Sequence, residues 1–460
     1  MSEMKYLSEP SLIPKKVYLW VSTTNIYVLL QGSRMNIVSS ISVDGLWGYF
    51  NFKTNVDEKI NYIIGTNGTG KTTVINLIAA ALTADSYKLD KIEFSKIEII
   101  LKSTNSLRKP KITVRKERQS LTHNKIWYSF QESSKAAKIE FPLGVNEYID
   151  FNTNLKRQLK FNDYSDDINF NLERLVKVSW LSVNRHENVD KDRIKEFDPR
   201  QGFISPIDRK LFSLSNELVK FFSTLSQKFA ELTLEFQKKS FLTMLHQEGV
   251  ARVFTFSKEL DLTRERKTLN EIFDVLGVDK KSYEGKLKSH FDKLSRIQNE
   301  HSHAPAVTID DFATLYNSWR IHSLVTEYEE LQRKKKDIFK QRDAFTQILN
   351  KMFAGRKIIS LSDNNELKVT TKNGRPISLE DLSSGEKQLL IILSEALVQN
   401  LEPVIYIADE PEISLHITWQ EYLTDTILEL NPNAQIIFAT HSPDVVGPYQ
   451  DKTINMENIL

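Results

Sequence analysis

The stretch GTNGTGKT at residues 65–72 decides the fold of this chain. It follows an apolar run, Tyr62 to Ile64, that predicts a buried strand, and it leads into a segment from Thr72 to Leu82 that we interpret as a helix. Its three glycines let the backbone curl around an anion, and the helix N-terminus adds a favourable dipole at the same place. The pattern therefore predicts a phosphate-binding loop in an α/β fold.

Two side chains in this loop have the chemistry that a nucleoside triphosphate requires. Lys71 would reach the β- and γ-phosphates, and the Thr72 hydroxyl would ligate magnesium. An ordinary glycine-rich turn is the alternative, but it does not explain the offsets of these two residues. The residues expected to bind the nucleotide here are Asn67, Gly68, Thr69, Gly70, Lys71, Thr72 and Thr73.

Paired carboxylates follow a second apolar run. The run Val404 to Ala408 has the pattern of a strand buried on both faces of a parallel sheet. Asp409 and Glu410 come next, at the edge where open α/β sheets bind ligands. We expect Asp409 to hold magnesium and Glu410 to polarise the attacking water as a general base. A solvated strand end is the alternative interpretation.

A histidine follows a further apolar strand, predicted from Gln435 to Ala439. At that position His441 can hydrogen-bond a γ-phosphate and report whether it is present. Taken alone, this residue would more often be an ordinary loop histidine. The predicted catalytic residues are Glu410 and His441, and the predicted magnesium ligands are Thr72 and Asp409.

The segment LSSGE at residues 382–386 opens an apolar helix predicted from Gln388 to Val398. A serine hydroxyl and bare amides at a helix N-terminus form another anion site. One chain needs no second phosphate cradle for its own nucleotide, so we expect Ser383, Ser384 and Gly385 to bind the ATP of a facing copy. A charge-stabilising group donated by a neighbour can add about 10³–10⁵ in rate. We therefore expect a homodimer whose two copies are joined through two bound ATP molecules.

The four motifs together resemble those of the ABC-type ATPases. Residues 382–386 match the LSGGQ or LSGGE signature of that family, with Ser384 in place of the first glycine. The segments DEPEISLH at 409–416 and THSP at 440–443 resemble those of the OLD-like ATPases, with Ile417 where proline is usual. The resemblance covers about residues 35–205 and 357–460. It implies ATP and Mg²⁺ as cofactors and an ABC-type (SMC/OLD-like) P-loop fold with a mixed sheet.

Patterns between the motifs predict the domain organisation. Stretches such as 111–115 and 138–141 alternate polar and apolar residues, which predicts antiparallel strands. The expected divisions are an N-terminal extension at 1–34, a first ATPase part at 35–204, a helical or coiled-coil insertion at 205–356, and a second ATPase part at 357–460.

Two helical seams within the insertion have spacings of four and three. They comprise Leu218, Phe222, Leu225, Phe229, Leu232 and Phe236, and then Leu324, Tyr328, Leu331, Lys335, Ile338, Arg342, Phe345, Leu349 and Met352. The second seam would extend about 45 Å, far shorter than the arms of SMC and Rad50 ATPases. Lys335 and Arg342 occupy positions expected to be apolar.

Composition limits the other functional classes. Lysine plus arginine number 62 and aspartate plus glutamate 60, so the net charge argues neither for nor against nucleic acid. There is no cysteine, which excludes disulfides and cysteine-bound metal. The start lacks a signal-peptide pattern, and Val17 to Leu30 is short and interrupted, so we expect a cytoplasmic protein with no membrane span.

Several features keep two interpretations. The basic clusters Arg108–Arg118 and Arg333–Lys336 are either solvated surface or contacts to DNA. His301 and His303 are more simply loop residues than metal ligands. The glutamine-loop residue is left open between Gln131 and Gln201. Trp47, Tyr49 and Phe50 are interpreted as core residues.

The end of the chain shapes the expected partnership. OLD-family nucleases carry a Toprim domain after the ATPase, whereas about twenty residues follow His441 here. We therefore expect an ATPase, not itself a nuclease, that commands a separate effector. The arrangement is similar to the ATPase subunits of Septu anti-phage systems, which implies an HNH endonuclease partner and a higher homo-oligomer. A PARIS-type Toprim effector is the near alternative.

Three rival functions are set beside this interpretation. A DNA-repair ATPase of the RecF, Rad50 or SMC type would act as a clamp on DNA. A transporter ATPase would associate with a membrane subunit, and a self-sufficient nuclease would cleave by itself.

Overall fold

The computed structural model describes residues 36–118, 124–143, 164–181, 205–243, 245, 260–300 and 308–458. The predicted N-terminal extension, Gln201, His301 and His303 lie outside these residues.

The strands are β1 (Asn36–Leu46), β2 (Phe50–Asn55), β3 (Ile60–Ile64), β4 (Lys96–Ser103), β5 (Lys111–Arg118), β6 (Asn124–Gln131), β7 (Ile139–Leu143), β8 (Val178–Leu181), β9 (Lys357–Leu361), β10 (Leu367–Thr371), β11 (Pro376–Ile377), β12 (Ile405–Asp409), β13 (Gln435–Ala439) and β14 (Thr453–Asn455). The helices are α1 (Lys71–Thr83), α2 (Ser86–Lys91), α3 (Ser165–Leu175), α4 (Pro206–Leu242), α5 (Leu262–Val275), α6 (Lys280–Glu300), α7 (Ile309–Met352), α8 (Ser384–Val398), α9 (Ile417–Gln420), α10 (Leu423–Leu430) and α11 (Pro443–Val446).

A parallel sheet in the order β14-β3-β13-β12-β8 positions the motifs. Strands β3, β12 and β13 are almost entirely buried, because apolar side chains cover both of their faces. Ile63 pairs with Ala439, and Ala439 pairs with Asp409. This register brings the carboxyl ends of the three strands to one edge, together with the loops that follow them.

A six-stranded antiparallel sheet, β2-β1-β4-β5-β6-β7, covers one side of the parallel sheet. Burial alternates along β4 and β5, which confirms the predicted antiparallel strands. Its inner face joins α1 and the inner residues Ile407 and Ile437 of the parallel sheet in one hydrophobic core. The helix that carries the phosphate loop is therefore held between the two sheets.

A second core fills the other face of the parallel sheet. Tyr62, Tyr406 and Phe438 are fully buried there against α8, α10 and the parts of α4 and α7 nearest the sheet. The small sheet β11-β10-β9 follows α7 and leads into α8. The structure thus confirms the predicted α/β architecture with an inserted helical subdomain. The parallel and antiparallel strands form separate sheets, and not the one mixed sheet that was predicted, because the two sets pack face to face across a shared core.

The insertion is built on two long helices, α4 with 37 residues and α7 with 44. At 1.5 Å per residue α7 is about 66 Å long. A third core lies away from the sheets, where α5, α6 and α7 bury a cluster that includes Phe291, Leu294 and Val325. Within the described part of the chain, no helix combines the length and apolar character needed to span a bilayer.

The predicted register of the second seam is wrong at two positions. Val325 and Phe339 are buried where the sequence pattern placed Leu324 and Ile338. The register changes because cations and rings fill the middle of the seam. Lys335 Nζ lies 5.3 Å from the centre of the Phe229 ring, and the Arg342 guanidinium lies 3.9 Å from that of Phe339.

Candidate nucleotide-binding site

The loop after β3 has the backbone of an anion cradle. Gly65, Gly68 and Gly70 all have positive φ, and Gly70 in the left-handed conformation caps the start of α1. A Cβ on Gly70 would lie 2.1 Å from the Trp47 ring. Glycine is therefore required at Gly70 both by its backbone and by the close approach of Trp47.

Lys71 is buried inside this loop. Its Nζ donates to the carbonyl oxygens of Gly65 at 2.7 Å and Thr66 at 3.0 Å. Burial lowers the pKa of Lys71, while the nearby carboxylates of Glu410 and Asp409 oppose that shift. The loop thus concentrates one cation and a set of backbone amides at the helix N-terminus.

A carboxylate from the end of the described chain contacts the same loop. The Thr66 N–H donates to Glu457 Oε1 at 3.0 Å, and the Thr69 hydroxyl donates to the Thr66 carbonyl at 2.8 Å. Sequence reasoning missed Glu457, because it is separated from the loop by 391 residues and belongs to no recognisable motif.

Thr72 and Asp409 are brought together across the sheet edge. The Thr72 hydroxyl lies 3.2 Å from Asp409 Oδ1, and burial raises the pKa of Asp409. In the described residues no group of three or more histidine, aspartate and glutamate side chains is arranged to hold a metal ion. Magnesium needs no such group, because it is commonly held by one or two protein oxygens together with substrate phosphates. Thr72 and Asp409 therefore fit Mg²⁺.

Glu410 adopts a strained backbone with φ 52°, and its N–H donates to the Ala439 carbonyl at 2.8 Å. Its carboxyl lies 3.3 Å from His441 Nε2. Burial, followed by the charges of Glu412 and Asp409, raises the pKa of Glu410 to about 7. A carboxyl with a pKa near neutrality is well suited to take a proton from water.

A third acid, Glu412, lies beneath the segment that carries His441. It is 7 % exposed, and its Oε1 accepts hydrogen bonds from the Thr440 hydroxyl and, at 3.3 Å, from the Ser442 N–H. Sequence reasoning missed this residue, although its position inside the DEPE stretch was a usable signal. The structure therefore shows a third carboxylate, beside Asp409 and Glu410, at the carboxyl end of β12.

The segment at 382–386 caps α8. The Ser383 hydroxyl accepts from the Glu386 N–H at 3.3 Å, and Glu386 Oε2 accepts from the Ser383 N–H at 2.8 Å, which is a capping box. Glu386 Oε2 also accepts from Lys357 Nζ at 2.7 Å. Burial alone would raise the pKa of Glu386, but the hydrogen bonds from Lys357 and Ser383 lower it below the ordinary value.

Ser384 and Gly385 differ sharply in their surroundings. Ser384 is exposed in the first turn of α8, so a side chain in place of glycine causes no steric conflict there. A Cβ on Gly385 would lie 2.3 Å from the Ser414 carbonyl oxygen. This contact places the signature turn against the chain that follows the acidic residues.

The structure brings five predicted side chains to one edge of the parallel sheet, and these are Lys71, Thr72, Asp409, Glu410 and His441. It does not bring the signature turn to the phosphate loop of the same chain. Among the described residues no hydrogen bond or ion pair links Ser383, Ser384 or Gly385 to residues 65–73.

Two other predictions concern Gln131, which lies away from this cluster, and Tyr49, which is not a core residue. Gln131 Nε2 donates to the Ala136 carbonyl at 3.0 Å in the β6–β7 hairpin, and this bond holds it within that hairpin. Tyr49 was interpreted as core but is 70 % exposed, with its ring centre 4.2 Å from that of Phe50 and the two rings tilted by 39°. It remains exposed because the tight turn at residues 47–49 directs it outward from β2.

Acidic neighbours pair with some of the cations in the two basic clusters. Lys111 pairs with Glu98 at 3.0 Å, and Arg115 pairs with Glu140 at 2.9 Å. In the second cluster, both Arg333 and Lys334 pair with the preceding Glu330. These pairs favour the solvated-surface interpretation for the residues that form them.

Comparisons with known proteins identify relatives of the chain. A family model described as AAA ATPase domain matches residues 35–446. A Retron Vc95 probable ATPase of Vibrio cholerae serotype O1 biovar El Tor is 26% identical over 194 residues, which cover 37% of this chain and 38% of the relative. Septu protein PtuA of Bacillus thuringiensis is 32% identical over 149 residues, which cover 28% of this chain and 36% of the relative. The chain thus spans little more than a third of the length of each of these relatives.

Solved structures of similar extent are Smc head domains. One, from Pyrococcus furiosus with an extended coiled coil and bound to the C-terminal domain of ScpA, has a TM-score of 0.41 and 14% identity, over 92% of this chain and 93% of that one. Another, from Pyrococcus yayanosii with a coiled coil and joint, has a TM-score of 0.38 and 15% identity, over 92% and 95%. These scores are too low to support a functional argument.

Proposed function

The chain belongs to the AAA ATPase domain family, and on that premise we propose that it is the regulatory ATPase of an anti-phage defence complex. The observation that carries the proposal is the meeting of Lys71, Thr72, Asp409, Glu410 and His441 at the carboxyl edge of one parallel sheet. The retron ATPase and the Septu protein among its relatives support the defence role.

The proposed chemistry is hydrolysis of the β–γ phosphoanhydride bond of ATP. The loop amides and Lys71 hold the phosphates, and Thr72 and Asp409 hold Mg²⁺, which supplies positive charge to the phosphate oxygens. Glu410 takes a proton from the attacking water, while His441 hydrogen-bonds the γ-phosphate. The rise of the Glu410 pKa to about 7 brings its basicity close to that required at neutral pH.

We further propose that two copies complete each other's sites. Ser383 caps α8 at an exposed turn, where its hydroxyl belongs to the capping box with Glu386, and the described residues show no bond from it to its own phosphate loop. A helix N-terminus of this kind suits a γ-phosphate bound to the opposite protomer. ATP would then join a homodimer, and hydrolysis would release it.

The proposal also covers the localisation of the complex, its effector and its oligomeric state. We place the complex in the cytoplasm, with an HNH endonuclease as the controlled effector, a Toprim effector as the alternative and higher homo-oligomers built from the ATP-joined dimer. The DNA-clamp alternative relies on basic side chains outside the ion pairs, such as Arg108, Lys109 and Lys336. It predicts ATP-dependent binding of duplex ends by the purified chain with a steep dependence on salt.

The test of the ATPase assignment uses two substitutions. Lys71→Ala should abolish detectable ATP binding in calorimetry, because the phosphates lose their cation. Glu410→Gln should keep ATP binding but slow phosphate release by about 10²–10⁴-fold, because the general base is removed. Wild-type ATP affinity in the first variant, or wild-type turnover in the second, would contradict the assigned roles.

The defence role has its own test. Cells that carry the chain with the effector encoded beside it should reduce phage plating, and Lys71→Ala in the ATPase should abolish that protection. Protection that persists with the Lys71→Ala variant would show that the nucleotide site does not control the effector.

A further inference from the structure

We propose that Glu412 is a positioning residue, which ties the segment carrying His441 to the general base Glu410. This inference rests on the proposed function, because Glu410 and His441 act in hydrolysis under that proposal. Glu412 belongs neither to the phosphate loop, nor to the proposed metal ligands, nor to the signature turn, so this role is additional to theirs.

Glu412 is hydrogen-bonded to the segment that carries His441. Glu412 Oε1 accepts from the Thr440 hydroxyl and from the Ser442 N–H at 3.3 Å, and the Ser442 N–H also lies 2.9 Å from the Thr440 hydroxyl. Thr440 and Ser442 are the two residues on either side of His441. Glu412 therefore fixes both flanks of the histidine with one carboxylate oxygen.

The Glu410 carboxyl contacts the histidine that Glu412 holds in place. It lies 3.3 Å from His441 Nε2, and Glu412 follows Glu410 by two residues in the same turn. The Glu410 backbone is held separately, by its N–H to the Ala439 carbonyl. Glu412 thus acts on the Glu410 carboxyl through His441, because it fixes the residues on both sides of that histidine.

Burial of the Glu412 carboxylate is energetically costly. Glu412 Oε2 is buried and accepts from no donor in the described part of the chain. Burying a carboxylate oxygen without a donor is unfavourable, and an amide or a smaller polar side chain would join the two turns at lower cost. A costly group retained beside the general base points to a role in the reaction.

A second connection between the same turns keeps the fold independent of Glu412. The Ser442 hydroxyl donates to Gln420 Oε1 at 2.8 Å, and Gln420 Nε2 donates to the Leu415 carbonyl at 3.0 Å. Loss of the Glu412 side chain therefore leaves the acidic turn and the His441 segment joined through Gln420. The variants below are expected to fold.

This arrangement links two events of the proposed reaction. When His441 engages a γ-phosphate, Glu412 holds the residues on both sides of the histidine, and His441 in turn contacts the carboxyl of Glu410. Glu412 therefore acts on the chemical step and not on ATP affinity, because it lies away from Lys71 and the loop amides.

The experiment measures steady-state ATP hydrolysis, ATP affinity and thermal melting at pH 8. Glu412→Ala should lower kcat by about 10–100-fold, since small misplacements of reacting groups have effects of that size. Its KM for MgATP and its Kd for ATP should change by less than about threefold, because the phosphate cradle is intact. Glu412→Gln keeps the acceptor for Thr440 and Ser442, so it should restore kcat to within about fivefold of wild type.

A double-mutant cycle tests the path through Thr440. Thr440→Val, which removes the hydroxyl donor, should lower kcat by about threefold or more with KM unchanged. Glu412→Ala combined with Thr440→Val should be no slower than Glu412→Ala alone, because both changes break the same connection. This variant also keeps the proposal testable if Glu412→Ala fails to fold: unchanged kcat in Thr440→Val overturns it.

The matched control is Glu421→Ala, which removes an exposed glutamate nine residues further along the chain and should behave as wild type. The inference is overturned if Glu412→Ala has wild-type kcat, if Glu412→Gln is as slow as Glu412→Ala, or if the two losses in the cycle simply add. A wild-type chain without ATPase activity would instead refute the proposed function. An active wild type with an equally active Glu412→Ala variant would refute only the role of Glu412.

Discussion

Gly385 and Ser384 are neighbours in the signature turn with opposite tolerance for a side chain. The Ser414 carbonyl closes the space beside Gly385, whereas Ser384 faces solvent. The departure from the family signature thus falls at the position that can accept it. The contact also packs the signature turn directly against the segment after Glu412.

Gly385→Ala is expected to lower the free energy of unfolding by about 1–3 kcal/mol, because the added methyl forces the Ser414 carbonyl aside. Denaturant unfolding followed by circular dichroism measures the loss. Ser384→Ala is the matched control and should stay within about 0.5 kcal/mol of wild type, since it lies in solvent. Equal stability of the two alanine variants would contradict the assigned contact.

The raised pKa of Glu410 predicts the pH dependence of hydrolysis. A general base acts in its charged form, so kcat/KM should rise with pH up to about 7 and level off above it. Because the charge of Glu412 contributes to that shift, Glu412→Gln should move the midpoint of this rise to lower pH. Steady-state rates between pH 5.5 and 8.5 measure both curves; identical midpoints would show that Glu412 does not act on Glu410 electrostatically.

Among individual residues, those that belong to motifs were predictable from the sequence, whereas the contacts that hold them in place were not. Lys71 and Asp409 were predictable because strand, loop and helix follow one another with fixed spacing. The contacts of Glu386 with Lys357 and of Glu457 with Thr66 were not predictable, because the partners lie 29 and 391 residues away. No local pattern encodes contacts of that separation.

Both ends of the insertion are fastened to the signature helix α8. Asp208, in the first turn of α4, pairs with Lys387 at 2.7 Å, and Lys357, just after α7, pairs with Glu386 at the same distance. The side chains of Lys357 and Glu386 are 21% and 16% exposed, so solvent weakens this pair less than it weakens a surface pair.

Lys357→Met should lower the free energy of unfolding by about 1–2 kcal/mol, because it leaves the half-buried Glu386 carboxylate without its cation. Lys177→Met, whose partner Glu402 is half exposed, is the control and should lose no more than about 1 kcal/mol. Urea midpoints at pH 7 measure the difference.

The pH dependence of stability gives a second check on the pair of Lys357 and Glu386. The pairing lowers the pKa of Glu386, so its contribution is present above the ordinary pKa of glutamate and is lost as the pH falls through the lowered value. The gap in stability between wild type and Lys357→Met should therefore narrow on acidification. A gap that widens below pH 5 would contradict the pairing.

Element types were predicted better than element registers. The buried strands β12 and β13 were predictable from continuous apolar runs, within one residue at each end. The seam on α7 was not, because a four-and-three spacing does not distinguish Phe339 from its neighbour Ile338 when stacked cations fill the gap. Side-chain packing between helices decides that choice, and it is not local to the sequence.

The part of the chain that the structure describes has three hydrophobic cores, two against the faces of the parallel sheet and one far along the insertion. The proposed dimer adds a contact that a single chain cannot show. Each nucleotide would lie between the phosphate loop of one protomer and Ser383 of the other.

Mixing two inactive variants tests that arrangement. Lys71→Ala and Ser383→Arg should each be inactive alone, because one lacks the phosphate cation and the other blocks the neighbour's nucleotide. A mixed dimer retains one intact site, so an equal mixture should recover about a quarter of wild-type hydrolysis. An inactive mixture that still forms ATP-dependent heterodimers in size-exclusion chromatography would contradict the shared site.

The bond from Trp419 Nε1 to the Met352 carbonyl, 3.0 Å long, anchors the end of α7 beside the turn that follows the acidic residues. A stiff rod of about 66 Å pivoting there moves its far tip by about 1 Å for each degree of tilt. Tilting of α7 about this bond would therefore turn a small shift at the catalytic edge into a larger displacement at the remote end of the insertion.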